Sequence, residues 1–137
     1  MKNILFIVVV FALFSCNESE NGEQSEEIDM NGPDFEINVL SFSIEDRKTE
    51  VEVINRTDKD FKSIRGRLNF IDEAEEPLMT VTGNPITSPF QSVANPKVVG
   101  AKSKTNLTLN NQIEEGTASI KISEITVEST DGEKLKF

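Results

Sequence analysis

The chain has no histidine, no tryptophan, no tyrosine and a single cysteine, Cys16. Without histidine there is no Ser-His or Cys-His nucleophilic system and no histidine-bearing zinc site. No S-x-x-K occurs either, and Ser103, between Lys102 and Lys104, reads as a solvated turn. The missing indole and phenol rings remove the stacking surface on which carbohydrate sites usually rely. Paired carboxylates are plentiful but fall in the tether and in polar turns such as Asp72 to Glu76, which water surrounds. Nothing there implies the pocket that acid/base work on a glycoside requires. Gly-rich phosphate loops are absent, so no cofactor is implied, and the expectation is a protein that is not an enzyme.

Positive charge is also scarce: 14 Lys and Arg stand against 24 Asp and Glu, a net charge of -10. Nucleic acid is therefore not expected as a partner, because such binding displaces phosphate counterions with a basic patch. Lys59, Lys62, Arg65 and Arg67 cluster, but Asp58 and Asp60 are interleaved with them, the pattern of a solvated strand face. Asn55, Asp58 and Asp60 could offer oxygens to calcium, yet they lack the D-x-D-x-D-G spacing of a specific loop. Turn chemistry, with Asx side chains bonding their own backbone, is the reading of these residues. No metal ligand is assigned.

Long apolar runs are limited to one, Ile4 to Phe14, eleven residues that follow Met1, Lys2 and Asn3. Spanning a bilayer takes about 20 apolar residues. A short positive start, an apolar core and a small residue before a cut match a secretory signal peptide instead. The stretch Leu13-Phe14-Ser15-Cys16 resembles the lipobox of bacterial lipoproteins, although Phe14 departs from the small or aliphatic residue usual at its position. The resemblance implies cleavage between Ser15 and Cys16, and a diacylglycerol thioether on Cys16, usually with a third, amide-linked chain. Lipidation also accounts for an unpaired cysteine in an oxidising compartment. One acyl chain binds a membrane only marginally, at about 0.8 kcal/mol per buried methylene, so two or three make the anchor stable. The membrane, reached through the lipid on Cys16, is the first expected partner.

From Asn17 to Asp34 there are seven acidic residues and no Lys or Arg, with Ile28 and Met30 the only apolar side chains apart from Pro33. Such a stretch cannot bury enough surface to offset the entropy of ordering it, so residues 16–34 read as the lipidated cysteine and an acidic tether. Eighteen flexible residues span roughly 25 Å. An acidic run soon after the lipidated cysteine also resembles the surface-export signals of lipoproteins in Bacteroidota. With Asn17 rather than Asp after Cys16, the resemblance implies an outer-membrane or cell-surface location.

Residues 35–137 are enough for one domain. Their apolar positions recur every second residue: Val51 and Val53; Ile64, Gly66, Leu68 and Phe70; Leu107 and Leu109; Ala118, Ile120 and Ile122. These are half-buried strands. Two series change phase, from Phe35, Ile37 and Val39 to Leu40, Phe42 and Ile44, and from Ile122 to Ile125 and Val127, which predicts a bulge or a change of sheet. Turns are predicted at residues 45–48, 55–60, 72–77 and 130–133, the last a tight primed hairpin at Asp131-Gly132. The fold class is all-β, an immunoglobulin-like sandwich of about seven strands, with a small β-barrel as the alternative. The segment from Val51 to Asp72, with its Asn55-x-Thr57-x-Lys59 turn and an alternation closing in Phe70-x-Asp72, is similar to one found in immunoglobulin-like domains of bacterial envelope lipoproteins. In that pattern a Gly follows the Asp by a few residues, whereas here Glu73-Ala74-Glu75-Glu76-Pro77 intervenes.

Residues 83–104 carry three prolines, Pro85, Pro89 and Pro96, so they suit an interior strand poorly and an edge or an end of the sandwich is expected. Ile86, Phe90 and Val93 are expected to be partly exposed there and to receive a protein partner, with Phe90 as anchor; the competing reading is that Phe90 covers the bottom of the sandwich as core. The function expected is a lipid-anchored, non-enzymatic protein-protein interaction or accessory module of the envelope. A small-ligand or calcium binding lipoprotein is the alternative.

Overall fold

The computed structural model describes residues 27–137. Ser15, Cys16 and the segment before them lie outside the described residues. Seven strands form: β1 Phe35–Ser43, β2 Lys48–Asn55, β3 Phe61–Ile71, β4 Thr87–Val93, β5 Ser103–Asn110, β6 Ser119–Ser129 and β7 Lys134–Lys136. They make two antiparallel sheets, β1-β2-β5 and β4-β3-β6-β7, packed face to face as a sandwich and not closed into a barrel. Only the links β1–β2, β3–β4 and β6–β7 stay within a sheet; the other three cross between sheets, as in immunoglobulin-like sandwiches.

The alternation explains the layers. Val51, Val53 and Leu109 face Ile64, Leu68, Phe70, Ile120 and Val127 across the interior, with Phe35 and Phe61 meeting edge to face at 5.6 Å. Both expected changes of phase are bulges. In β1 the register with β2 shifts between Val39 and Ser41, so Leu40 is extruded to solvent and Phe42 returns to the core side. In β6, Glu124 and Ile125 together oppose Gly66, and Glu124 takes a left-handed φ of 54°. Val127 is thereby brought back onto the interior.

The sandwich has two distinct ends. At one, the turn after β1, the loop after β3 and the approach to β6 bring Glu45, Asp46, Asp72 to Glu76, Glu114 and Glu115 to the same side of the molecule. At the other, Asn55 organises the loop into β3. Its amide donates to the carbonyls of Lys59 and Gly100, and its Oδ1 accepts from the backbone N–H and the hydroxyl of Thr57. Asp60 accepts from the Ala101 N–H, and Asp58 pairs with Lys102 at 2.9 Å. Of the three residues considered for calcium, Asn55 makes the local turn bond that Asx chemistry predicts, whereas Asp60 holds a distant loop and Asp58 is engaged in an ion pair.

One expectation is corrected. The hairpin joining β6 to β7 is not a two-residue primed turn. Ser129 and Glu133 close a three-residue loop in which only Gly132 has positive φ, 91°, the type I turn with a glycine bulge. Within the stretch read as tether, Asp29, Pro33 and Asp34 bond to the domain. Arg56, whose side chain is only 8% exposed, donates to the carbonyls of Asp29 at 2.7 Å and Pro33 at 2.8 Å, and its backbone N–H donates to the carbonyl of Asp34. The ordered entry to β1 thus begins at Asp29.

Candidate functional site

Residues 83–104 contain the edge strand β4, in keeping with Pro89, which has no N–H to give an outer neighbour. The structure separates the three residues placed there for a partner. Val93 is 63% exposed, Ile86 is half-buried against the core, and Phe90 is 8% exposed and belongs to the core. The expected exposure of Phe90 is corrected by its cross-strand neighbour. Phe90 pairs with Gly66, and its Cε1 and Cζ lie 2.7 Å from where a Cβ on that glycine would be, so the ring fills the space the missing side chain leaves. Proline spacing signalled the edge, but only the pairing with Gly66 shows which way Phe90 points.

The outward positions of the four-stranded sheet follow from its register. Ladder pairs place Val93, Ser63, Glu128 and Lys134 in one row and Gln91, Arg65, Thr126 and Lys136 in the next. Pro89, Arg67 and Ser123 follow, then Thr87, Asn69 and Lys121. Lys62, at the bulge between Phe61 and Ser63, reaches Glu128 at 3.0 Å, and Arg67 reaches Glu124 at 3.0 Å. This face therefore carries six cations, Lys62, Arg65, Arg67, Lys121, Lys134 and Lys136, against two carboxylates. Among the described residues, Arg65, Lys121, Lys134 and Lys136 make no ion pair. The outer face of the other sheet has Glu36, Glu50 and Glu52 against Lys48 and Lys104.

Of Lys59, Lys62, Arg65 and Arg67, read from the sequence as a solvated strand face, the last three do lie on the outer side of β3. Both aspartates and Lys59 lie in the loop before β3, where Lys59 pairs with Glu133. Strand pairing brings Lys121, Lys134 and Lys136 to the face in their place. A single run cannot reveal this, because the contributing strands are about sixty residues apart in sequence. The carboxyl of Glu128 is held below its ordinary pKa, first by its hydrogen bond from Lys62 and further by the charges of Lys134 and Arg65. Glu128 thus stands among three cations and leaves the face positive.

The face is shallow. A depression of about 230 Å³ lies over Ser63, Arg65, Thr126, Glu128 and Lys134, open to solvent. Two other depressions lie at the acidic end, beside Glu45, Arg47, Glu114 and Glu115, and between the edges of β4 and β5. No described buried side-chain nitrogen or oxygen lacks a hydrogen-bond partner, and no three described acidic residues converge on a metal-sized space. The arrangement is suited to binding a surface by charge. Compared with protein-family models, with characterised proteins and with solved structures, the chain matches none.

Proposed function

We propose that the chain is a lipid-anchored protein of the bacterial outer membrane, presented at the cell surface, whose sandwich acts as a non-enzymatic interaction or accessory module. The observation that carries the reading is charge segregation. Residues 27–137 hold 20 acidic and 13 basic side chains, yet six of the basic ones share one sheet face with only two carboxylates. A set of like charges costs self-repulsion, and its use is to steer and orient a partner of opposite sign. The anchor half of the proposal rests on Leu13-Phe14-Ser15-Cys16.

Two measurements test it. Membrane fractionation and intact mass of the mature chain should show acyl groups on Cys16, and Cys16→Ser should abolish both acylation and membrane retention. Cross-linking in intact envelopes, followed by affinity capture, should recover a discrete partner. A soluble, unacylated mature chain would overturn the anchor, and cross-linking that yields the chain alone would overturn the module.

A further inference from the structure

We infer that the outer face of the β4-β3-β6-β7 sheet binds an acidic polypeptide segment in extended conformation. The inference rests on the reading of the domain as an interaction module and supplies the chemistry of its partner. Spacing is the first argument. Arg65 and Arg67 on β3, and Lys134 and Lys136 on β7, are each two residues apart on one side of a strand. That repeat is about 6.6 Å, the same as between alternate side chains of any extended peptide. A chain lying along the strands with a carboxylate at every second residue would meet successive cations in step. Arg65 offers a planar fork to such a carboxylate, while the lysines act as point charges.

The face also disfavours the other anionic occupants. Glu124 is 67% exposed and stands beside Arg67, so a flat anionic membrane would have to approach a projecting carboxylate. The outer rows contain no aromatic ring and no large apolar side chain except Val93 at the edge, so there is nothing to insert between lipids or to stack on bases. A peptide can pass to either side of Glu124 and Glu128. Of the six cations only Lys62 and Arg67 are paired, so an incoming carboxylate displaces water rather than an existing partner at Arg65, Lys121, Lys134 and Lys136.

The test uses the full mature chain and a fluorescent peptide of alternating glutamate and serine, followed by anisotropy. Binding is expected, weakening about tenfold as salt is raised through the range where screening shortens to a few ångströms. The triple variant Arg65→Glu, Lys134→Glu, Lys136→Glu should lose at least about tenfold in affinity while remaining folded, its melting temperature lowered only modestly because all three side chains are exposed and two of them face Glu128. The glutamine version of the same triple gives an intermediate loss and guards against misfolding of the first. Lys48→Glu with Lys104→Glu, on the opposite sheet, should leave binding unchanged. Absence of peptide binding, equal binding by the triple variant, or preference for phosphatidylglycerol vesicles or a single-stranded oligonucleotide over the peptide would each overturn the inference. Should the envelope partner still be captured by the triple variant, this face is not its site, whereas the module itself stands.

Discussion

Gly66 and Phe90 form a pair in which each explains the other. A methyl group on Gly66 would sit 2.7 Å from the Phe90 ring and 3.3 Å from the Ser123 carbonyl oxygen, so the ring must leave its place. Gly66→Ala should therefore destabilise the domain by about 1–3 kcal/mol, the cost of overpacking. Phe90→Ala opens a void at the same spot and should cost about 3–5 kcal/mol. Denaturant melts of both variants check this, and a Phe90→Ala chain as stable as the parent would place that ring outside the core. Acid dependence is also set by single residues. The Arg56 guanidinium beside Glu36 holds its carboxyl below the usual range, with Asn38 assisting, and Ser129 does the same for Asp131. A carboxyl whose pKa is depressed in the folded state stabilises fully above its unfolded pKa and loses that contribution as pH falls through the folded one. Melting temperature should thus decline as pH drops below about 4, and Glu36→Gln should flatten part of that decline.

Among the elements, the turns show how much of the fold was legible in the sequence. The alternation in β2, β3, β5 and β6 marked the strands, and the broken phase in β1 and β6 called for a bulge or a change of sheet, of which the structure has the bulge in both strands. Turn geometry was harder to read. At Asp72 to Glu76 the turn has no glycine, and Glu75 takes the left-handed position at a φ of 63°. The Asp72 carboxylate compensates by accepting from the N–H groups of Ala74 and Glu76. The loop from Ser129 to Glu133 has the same plan, with the Ser129 hydroxyl accepting from the Glu133 N–H and Gly132 in the left-handed position. Glu75→Gly should accordingly stabilise the domain by about 0.5–1 kcal/mol, since glycine carries no Cβ penalty there. A lower melting temperature for this variant would show that the Glu75 side chain, and not the backbone, matters. The cationic face was the least legible part, because Lys121, Lys134 and Lys136 reach Arg65 and Arg67 only through pairing across β3, β6 and β7.

At the scale of the whole molecule, the boundary of the folded unit falls earlier than its first strand. A chain beginning at residue 27 retains the bonds of Arg56 to Asp29 and Pro33, whereas one beginning at residue 35 leaves a nearly buried guanidinium with fewer acceptors. The shorter chain should be less stable by about 1–3 kcal/mol in equilibrium denaturation, and the longer one should match the full mature protein. Equal stability of the two would assign no role to the clamp.

That clamp also decides where tension would enter the protein. A lipid anchor upstream and a partner on the sheet face would pull against each other through the residues before β1. Arg56 directly continues β2, so it ties the incoming backbone to the second strand before the first begins. Traction is then shared by β1 and β2 from the outset, and Phe35 cannot be peeled from Asn55 while the guanidinium holds. Under load the clamp at Arg56 meets the pull before the first strand does, and the sandwich keeps its shape.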